Sequence, residues 1–347
     1  VSPAQPLLEV RDLCKSFPVG ENFLGRPTGR VQAVNNVSFS IANGETLGLV
    51  GESGCGKSTV SRLILRLIEA DRGTIRFDGH DMRAAGRDAL RHIRRNVQFI
   101  QQDPYSSLDP LMTIGDIIEE SLIVHRIGQP DERRAMVRDV LGKVGIRADM
   151  MDRTPHEFSG GQRQRICIAR ALVLEPKLII ADEPVSALDV SVQSQVLNLM
   201  LDLQEQMNLS FLFIAHDLTV VEHMSDRVAV MYLGQIVELA SDTDIYSNPG
   251  HPYTRLLLAA APRVDAGPAP RRCDRLQGEI PSPLDPPSGC PFHPRCPNKL
   301  PICEQIMPPL VDSGNGHLLA CHNSQGTGAP STTHTRKPQP NQGELTS

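Results

Sequence analysis

Gly51-Glu52-Ser53-Gly54-Cys55-Gly56-Lys57-Ser58-Thr59 is the stretch that decides the fold. A glycine, four residues, then Gly-Lys-Ser is the pattern of a phosphate-binding loop. Thr46 to Val50 before it is an apolar run of buried-strand length, and Ser58 to Glu69 after it shows apolar residues at helical spacing. The loop therefore has the strand-to-helix context that separates it from a glycine-rich turn beside a lysine. Its glycines let backbone N–H groups curl round phosphate oxygens, and the following helix presents its positive end to the same anion. Lys57 can reach the outer phosphates, and the Ser58 hydroxyl can ligate magnesium. Gly51, Glu52, Ser53, Gly54, Cys55, Gly56, Lys57, Ser58 and Thr59 are the candidate nucleotide-binding residues, with Cys55 as a small loop filler.

Further along, Leu178-Ile179-Ile180-Ala181-Asp182-Glu183-Pro184 reads as a buried strand ending in two acids. Adjacent carboxylates at a strand end are costly unless a cation or hydrogen bonds compensate them. Asp182 is expected to hold magnesium and Glu183 to polarise the attacking water. Around these motifs, residues 7 to 19 and 31 to 41 read as antiparallel strands separated by an insert at Gly20 to Arg30. Met112 to Val144 is helical, and a helix after Ser159 stops at Pro176. Strand and helix then alternate to about Leu239, which argues for an α/β fold with a mainly parallel, doubly covered sheet.

The 347 residues allow one large domain with an appendage, and 40% hydrophobic with 22% charged residues supports an ordinary globular core. A net charge of −5 with scattered basic residues argues against nucleic acid as a partner. No apolar stretch approaches the roughly 20 residues of a membrane helix. Val1 to Val10 lacks the pattern of an export leader, so the chain reads as cytoplasmic. Pro262 to Gly289 reads as a linker, Cys290 to Cys321 as a small Cys/Pro lobe, and the tail from Asn323 as disordered.

Phe158-Ser159-Gly160-Gly161-Gln162, ahead of Asp182 and opening a helix, resembles the signature sequence of ABC ATPases. Ser159 is a good N-cap and the glycines leave N–H groups open, so this is a second anion site beside a single phosphate loop. The resemblance implies that Ser159, Gly160, Gly161 and Gln162 reach across a head-to-tail dimer to the partner's nucleotide. It also implies that Gln102 senses magnesium and the attacking water, that His216 contacts the terminal phosphate, and that Ser186 to Asp189 crosses the dimer interface. Phe17 falls where an aromatic residue stacks on adenine. Within this family the chain looks closest to the ATPases of oligopeptide/dipeptide importers, over roughly residues 7 to 322. The residues that carry this are Gln102 to Pro110, His251-Pro252-Tyr253-Thr254-Arg255 and Gly278 to Pro283. Cys55 and the insert at Asn22 to Pro27 look like the F-type subunit. Two departures, Phe158 for leucine and Asp109 for asparagine, leave the chemistry intact.

The expected architecture is a phosphate-loop NTPase of ABC type: a mainly parallel sheet core, an antiparallel β subdomain, a helical subdomain at about 108–160 and a small Cys-rich lobe. A nucleotide-binding domain over 7–261 is followed by the importer-type region 262–322 and a tail at 323–347. Cys290, Cys296, Cys303 and Cys321 lack both the Cys-x-x-Cys pair of a zinc ribbon and ferredoxin spacing, so spacing leaves a metal open. The resemblance implies a [4Fe-4S] cluster there; zinc and unmetallated thiols are the alternatives, and Cys273 is a spare. The expected function is an ATP-hydrolysing motor for di- or oligopeptide import. It would be peripheral to the cytoplasmic face of the plasma membrane and paired with a D-type ATPase. Two permease subunits and, indirectly, an extracytoplasmic solute-binding protein complete the system. Nickel, glutathione or oligosaccharide import are alternatives. A soluble ABC ATPase of DNA repair is disfavoured by the lack of room for a coiled coil between Lys57 and Asp182, one of translation by the single cassette. An exporter motor is disfavoured by the importer-type tail.

Overall fold

The structure, a computed structural model, describes residues 5–21, 27–260 and 279–323. β1 (Leu8–Glu21) and β2 (Pro27–Ile41) form a long antiparallel pair that continues to Glu21 opposite Pro27. The expected insert is therefore largely strand, and its centre, 22–26, lies outside the described residues. β3 (Thr46–Val50) leads through the phosphate loop into α1 (Lys57–Ile64). This helix is shorter than its apolar spacing suggests. Arg66 adopts φ 50° and the Arg94 guanidinium donates to the carbonyls of Leu65 and Arg66, which closes the turn.

β4 (Arg72–Phe77), β5 (His80–Asp81), α2 (Arg87–Asn96) and β6 (Val97–Ile100) follow. Then come α3 (Pro104–Ser107), α4 (Ile114–His125) and α5 (Pro130–Lys143). Local signals set these helices: Asp103 and Thr113 accept N-cap hydrogen bonds, and Pro130 opens α5 inside a Gln129/Glu132 capping box. α6 (Gly160–Leu172), β7 (Leu178–Asp182), α7 (Val190–Met207), β8 (Ser210–Ala215) and α8 (Leu218–Met224) carry the strand-helix alternation. β9 (Arg227–Tyr232), β10 (Gln235–Ser241), α9 (Asp242–Ser247), α10 (Pro252–Ala260), β11 (Val311–Asp312) and β12 (Leu318–Leu319) complete the described chain.

Two sheets result. The antiparallel one has the order β2-β1-β4-β5, and the larger one the order β11-β12-β10-β9-β3-β8-β7-β6. In the larger sheet β6, β7, β8, β3 and β9 are parallel, and β10, β12 and β11 extend it antiparallel. The central strands are apolar runs because both faces are covered. Their side chains alternate between two cores with the period of a strand. Leu47, Leu49, Ile180, Leu212 and Ile214 point to the core shared with β1, β2 and α1. Val50, Ile179, Ala181, Phe211 and Phe213 point to the core shared with α4 to α8.

The Cys/Pro-rich segment is joined to the main body. Among the described residues, β12 pairs with β10, and Cys290, Phe292 and Cys303 belong to the same hydrophobic core as α4 to α8. The segment has too few large apolar residues to form a core alone, and it borrows the main one.

Candidate functional site

At the C-terminal end of β3 the chain turns back on itself. Gly56 sits at φ 111°, and a side chain there would run its Cβ into the Ala33 carbonyl at 2.2 Å, so only glycine fits. Gly51 is pressed as closely against the Met231 carbonyl. Lys57 is nearly buried, and its ammonium donates to the carbonyls of Gly51 (2.6 Å) and Glu52 (3.2 Å). Cys55 is buried beneath the loop, where burial pushes its thiol up against the pull of Lys57. That is the environment of a space-filling residue.

A cleft of about 450 Å³ opens over the loop. Ser53, Gly54, Cys55, Gly56, Lys57, Ser58 and Thr59 line one side, and Gln102, Glu183 and His216 reach it from three other segments. Asp182 ends β7 next to Ser58, whose hydroxyl donates to its Oδ1 at 3.1 Å. Burial raises the Asp182 pKa while Ser58 and Lys57 oppose the rise and Glu183 adds to it. A buried carboxylate and a hydroxyl beside a phosphate loop are hard oxygen donors, and they fit magnesium. Glu183 follows in the left-handed conformation, φ 48°, with its N–H bonded to the Ile214 carbonyl. Its Oε2 accepts from Gln102 Nε2 at 3.0 Å and lies 3.2 Å from His216 Nδ1. One carboxylate, one amide and one imidazole thus converge at the mouth of the phosphate cradle.

The remaining expected residues fall elsewhere. Gly51 and Glu52 do not line the cleft, and Glu52 turns its carboxylate to Arg295. Phe17 does not reach the cleft either; it pairs with Val31 in the β1/β2 ladder, with the Lys15 ammonium 5.4 Å from its ring. Val31, Gln32, Ala33, Leu233, Gly234 and Pro283 occupy that side instead. They come from the far end of a hairpin, a strand turn and the C-terminal segment, and no local pattern in the sequence joins them. Ser159, Gly160, Gly161 and Gln162 cap α6 through a reciprocal Ser159/Gln162 box and also stand outside the cleft. Arg170 of α6 donates to the Ser107 carbonyl at 2.6 Å, tying this helix to the segment after Gln102.

The thiols of Cys290, Cys296, Cys303 and Cys321 are close enough that Cys303, Cys321 and Cys296 each help burial raise Cys290, to about 11. The donors suit a thiophilic metal, but their arrangement does not: among the described residues no group of three or more His, Cys, Asp or Glu could hold a metal ion. The iron–sulfur expectation therefore finds no support here. Cys273 lies outside the described residues. Among them, no helix is long and apolar enough to cross a membrane.

Comparison with known proteins bears on the family and the fold. The family profile described as ABC transporter matches residues 34–186, and that described as oligopeptide/dipeptide transporter, C-terminal region, matches residues 237–303. The oligopeptide transport ATP-binding protein AppF of Bacillus subtilis is 50% identical over 320 residues, covering 92% of this chain and 97% of that protein. The dipeptide transport ATP-binding protein DppF of Haemophilus influenzae is 48% identical over 316 residues, 91% and 96% of the two chains. Among solved structures, the dimeric post-hydrolysis state of the ATP-binding cassette MJ0796 bound to ADP and Pi superposes with a TM-score of 0.60 at 28% identity. It covers 67% of this chain and 98% of that one.

Proposed function

This chain belongs to the ABC transporter family, with the C-terminal region of its oligopeptide/dipeptide branch, and from that premise we propose how its residues divide the work of a peptide-importer motor. It is an ATPase subunit whose hydrolysis is coupled to peptide transport. It uses ATP with Mg2+, and its partners are membrane permeases and a solute-binding protein.

The carrying observation is the convergence of Gln102 and His216 on the Glu183 carboxylate, beside the Ser58–Asp182 pair and over the phosphate loop. The loop amides and Lys57 bind the β- and γ-phosphates. Ser58 and Asp182 hold magnesium, which supplies charge neutralisation on the phosphate oxygens. Glu183 takes the proton of the attacking water, and Gln102 and His216 orient that carboxylate and the water. Val31, Gln32, Ala33, Leu233 and Pro283 form the wall for the rest of the nucleotide.

Because Ser159, Gly160 and Gly161 lie outside their own cleft, we assign them to the nucleotide of a second ATPase subunit. A D-type partner in a heterodimer is the form proposed, at the cytoplasmic face of the plasma membrane. The division into 7–261, with helices at about 108–160, and 262–322 is likewise a proposal. The iron–sulfur cluster implied for Cys290, Cys296, Cys303 and Cys321 stays an expectation that their arrangement does not support; iron and acid-labile sulfide in anaerobically purified protein test it, and their absence would remove it.

The function is tested by peptide uptake in proteoliposomes carrying the assembled transporter with its binding protein. Uptake of labelled peptide should require ATP and be lost in Lys57→Ala, which leaves the outer phosphates without their cation. Uptake undiminished in that variant would contradict the assignment.

A further inference from the structure

The phosphate loop carries a single acid, Glu52, in a segment that must receive a polyanion. A free carboxylate there would repel the incoming phosphates. It is not free. Arg295 grips it through two N–H···O bonds, 2.7 Å to Oε2 and 3.0 Å to Oε1, the paired geometry that suits a guanidinium to a carboxylate. The arginine side chain is only 4% exposed and the glutamate 22%, so water screens the pair weakly.

Glu52 is held by its backbone as well. Its N–H donates to the Tyr253 hydroxyl at 3.0 Å, and its carbonyl accepts from Lys57. Arg295 is in turn fixed beside Tyr232, whose hydroxyl lies 3.4 Å from it, and its backbone N–H donates to the Phe292 carbonyl. Phe292 is fully buried, with its ring 5.3 Å from those of both Tyr232 and Tyr253. Arg295 lies between Cys290 and Cys296, so a segment some 240 positions away in sequence is bolted to the second residue of the phosphate loop.

We infer that Arg295 is a positioning residue for nucleotide binding: from the C-terminal region it neutralises and turns aside the loop's one carboxylate, so that affinity for ATP depends on that region being seated. The inference rests on the assignment of the loop to ATP. It makes the C-terminal region part of the nucleotide site in an electrostatic sense and not only a packing appendage.

The test is the affinity of the full chain for trinitrophenyl-ATP in wild type, Arg295→Met, Glu52→Gln and the double variant, with circular dichroism as a check on folding. Arg295→Met should weaken binding about tenfold at low salt, the loss shrinking as salt screens the uncovered carboxylate. Adding Glu52→Gln should return affinity to within about threefold of wild type, because the repelling charge is gone. Unchanged affinity in Arg295→Met, or a loss that Glu52→Gln does not relieve and salt does not reduce, would overturn the inference in favour of simple packing. Should Arg295→Met not fold, Arg295→Gln carries the same comparison, since its neutral amide removes the cation while keeping a polar group beside Tyr232: a loss that Glu52→Gln relieves supports the inference, and an unrelieved loss or none overturns it. A wild-type chain that does not bind the probe would contradict the ATP assignment itself, a result distinct from either.

Discussion

Glu183 holds a backbone conformation that non-glycine residues rarely adopt, φ 48°, and such strain persists where neighbours fix it. Here the Ile214 carbonyl fixes its N–H, and Gln102 and His216 meet its carboxylate. Replacing one carboxylate oxygen by an amide in Glu183→Gln keeps the shape and removes the base. Hydrolysis in the assembled transporter should fall by roughly 10² to 10⁴ with ATP binding preserved; a wild-type rate would remove Glu183 from that role. The acids and the phosphate loop were legible because each ends or follows a short apolar strand, a local signal. Gln101 and Gln102 are alike in sequence and differ in place: Gln102 reaches Glu183, whereas Gln101 accepts from Ser107. Hairpin register pairs Phe17 with Val31 and places Val31, Gln32 and Ala33 at the cleft, a placement that no local pattern in the sequence announces.

Among the elements, β11 and β12 are two residues each, too short to carry periodicity, and a buried ion pair reinforces the pairing of β12 with β10. Glu238 of β10 is fully buried and accepts from His317 Nε2 at 2.7 Å and from the N–H groups of Gly250 and His251. Burial alone would raise Glu238, but these hydrogen bonds, led by His317, bring it below its ordinary 4.5. The same bond, with Asp244 and Asp312 adding to it against burial, raises His317 above 6.5. The stabilisation is complete above 4.5 on the glutamate side and below 6.5 on the histidine side. It is lost as pH falls through the lowered Glu238 value or rises through the raised His317 value. The melting-temperature gap between wild type and His317→Gln should therefore be widest between pH 4.5 and 6.5 and narrow as pH climbs beyond it. A gap that does not change with pH would mean that His317 serves only by packing. The region 72–100 shows a related limit. β6 forms the sheet edge beside β7, but four residues joined to a helix give little to read in isolation.

At the scale of the molecule, a mainly parallel, doubly covered sheet behind a phosphate loop followed from apolar runs alternating with helical spacing, whereas the order of the strands did not. The mode of attachment of the C-terminal region did not follow. Its Cys and Pro content marks a small lobe, and the contacts that tie it down are remote in sequence: Phe292 in the main core, His317 on Glu238, Arg295 on Glu52. The same reasoning by placement supports the claim on which the account turns, that a chain with one phosphate loop and an anion-binding helix end outside its own cleft completes its sites with a second subunit. Gly160 tests this cleanly, because a Cβ there would meet only Leu188 at 3.5 Å, an ordinary contact, so Gly160→Asp should fold. The decisive measurement sets nucleotide affinity of the isolated Gly160→Asp chain beside ATP-driven association and hydrolysis in the assembled transporter. The account predicts affinity equal to wild type with association and hydrolysis abolished, since the new carboxylate would face the partner's terminal phosphate; loss of nucleotide binding by the isolated chain, or undisturbed hydrolysis in the assembly, would contradict it.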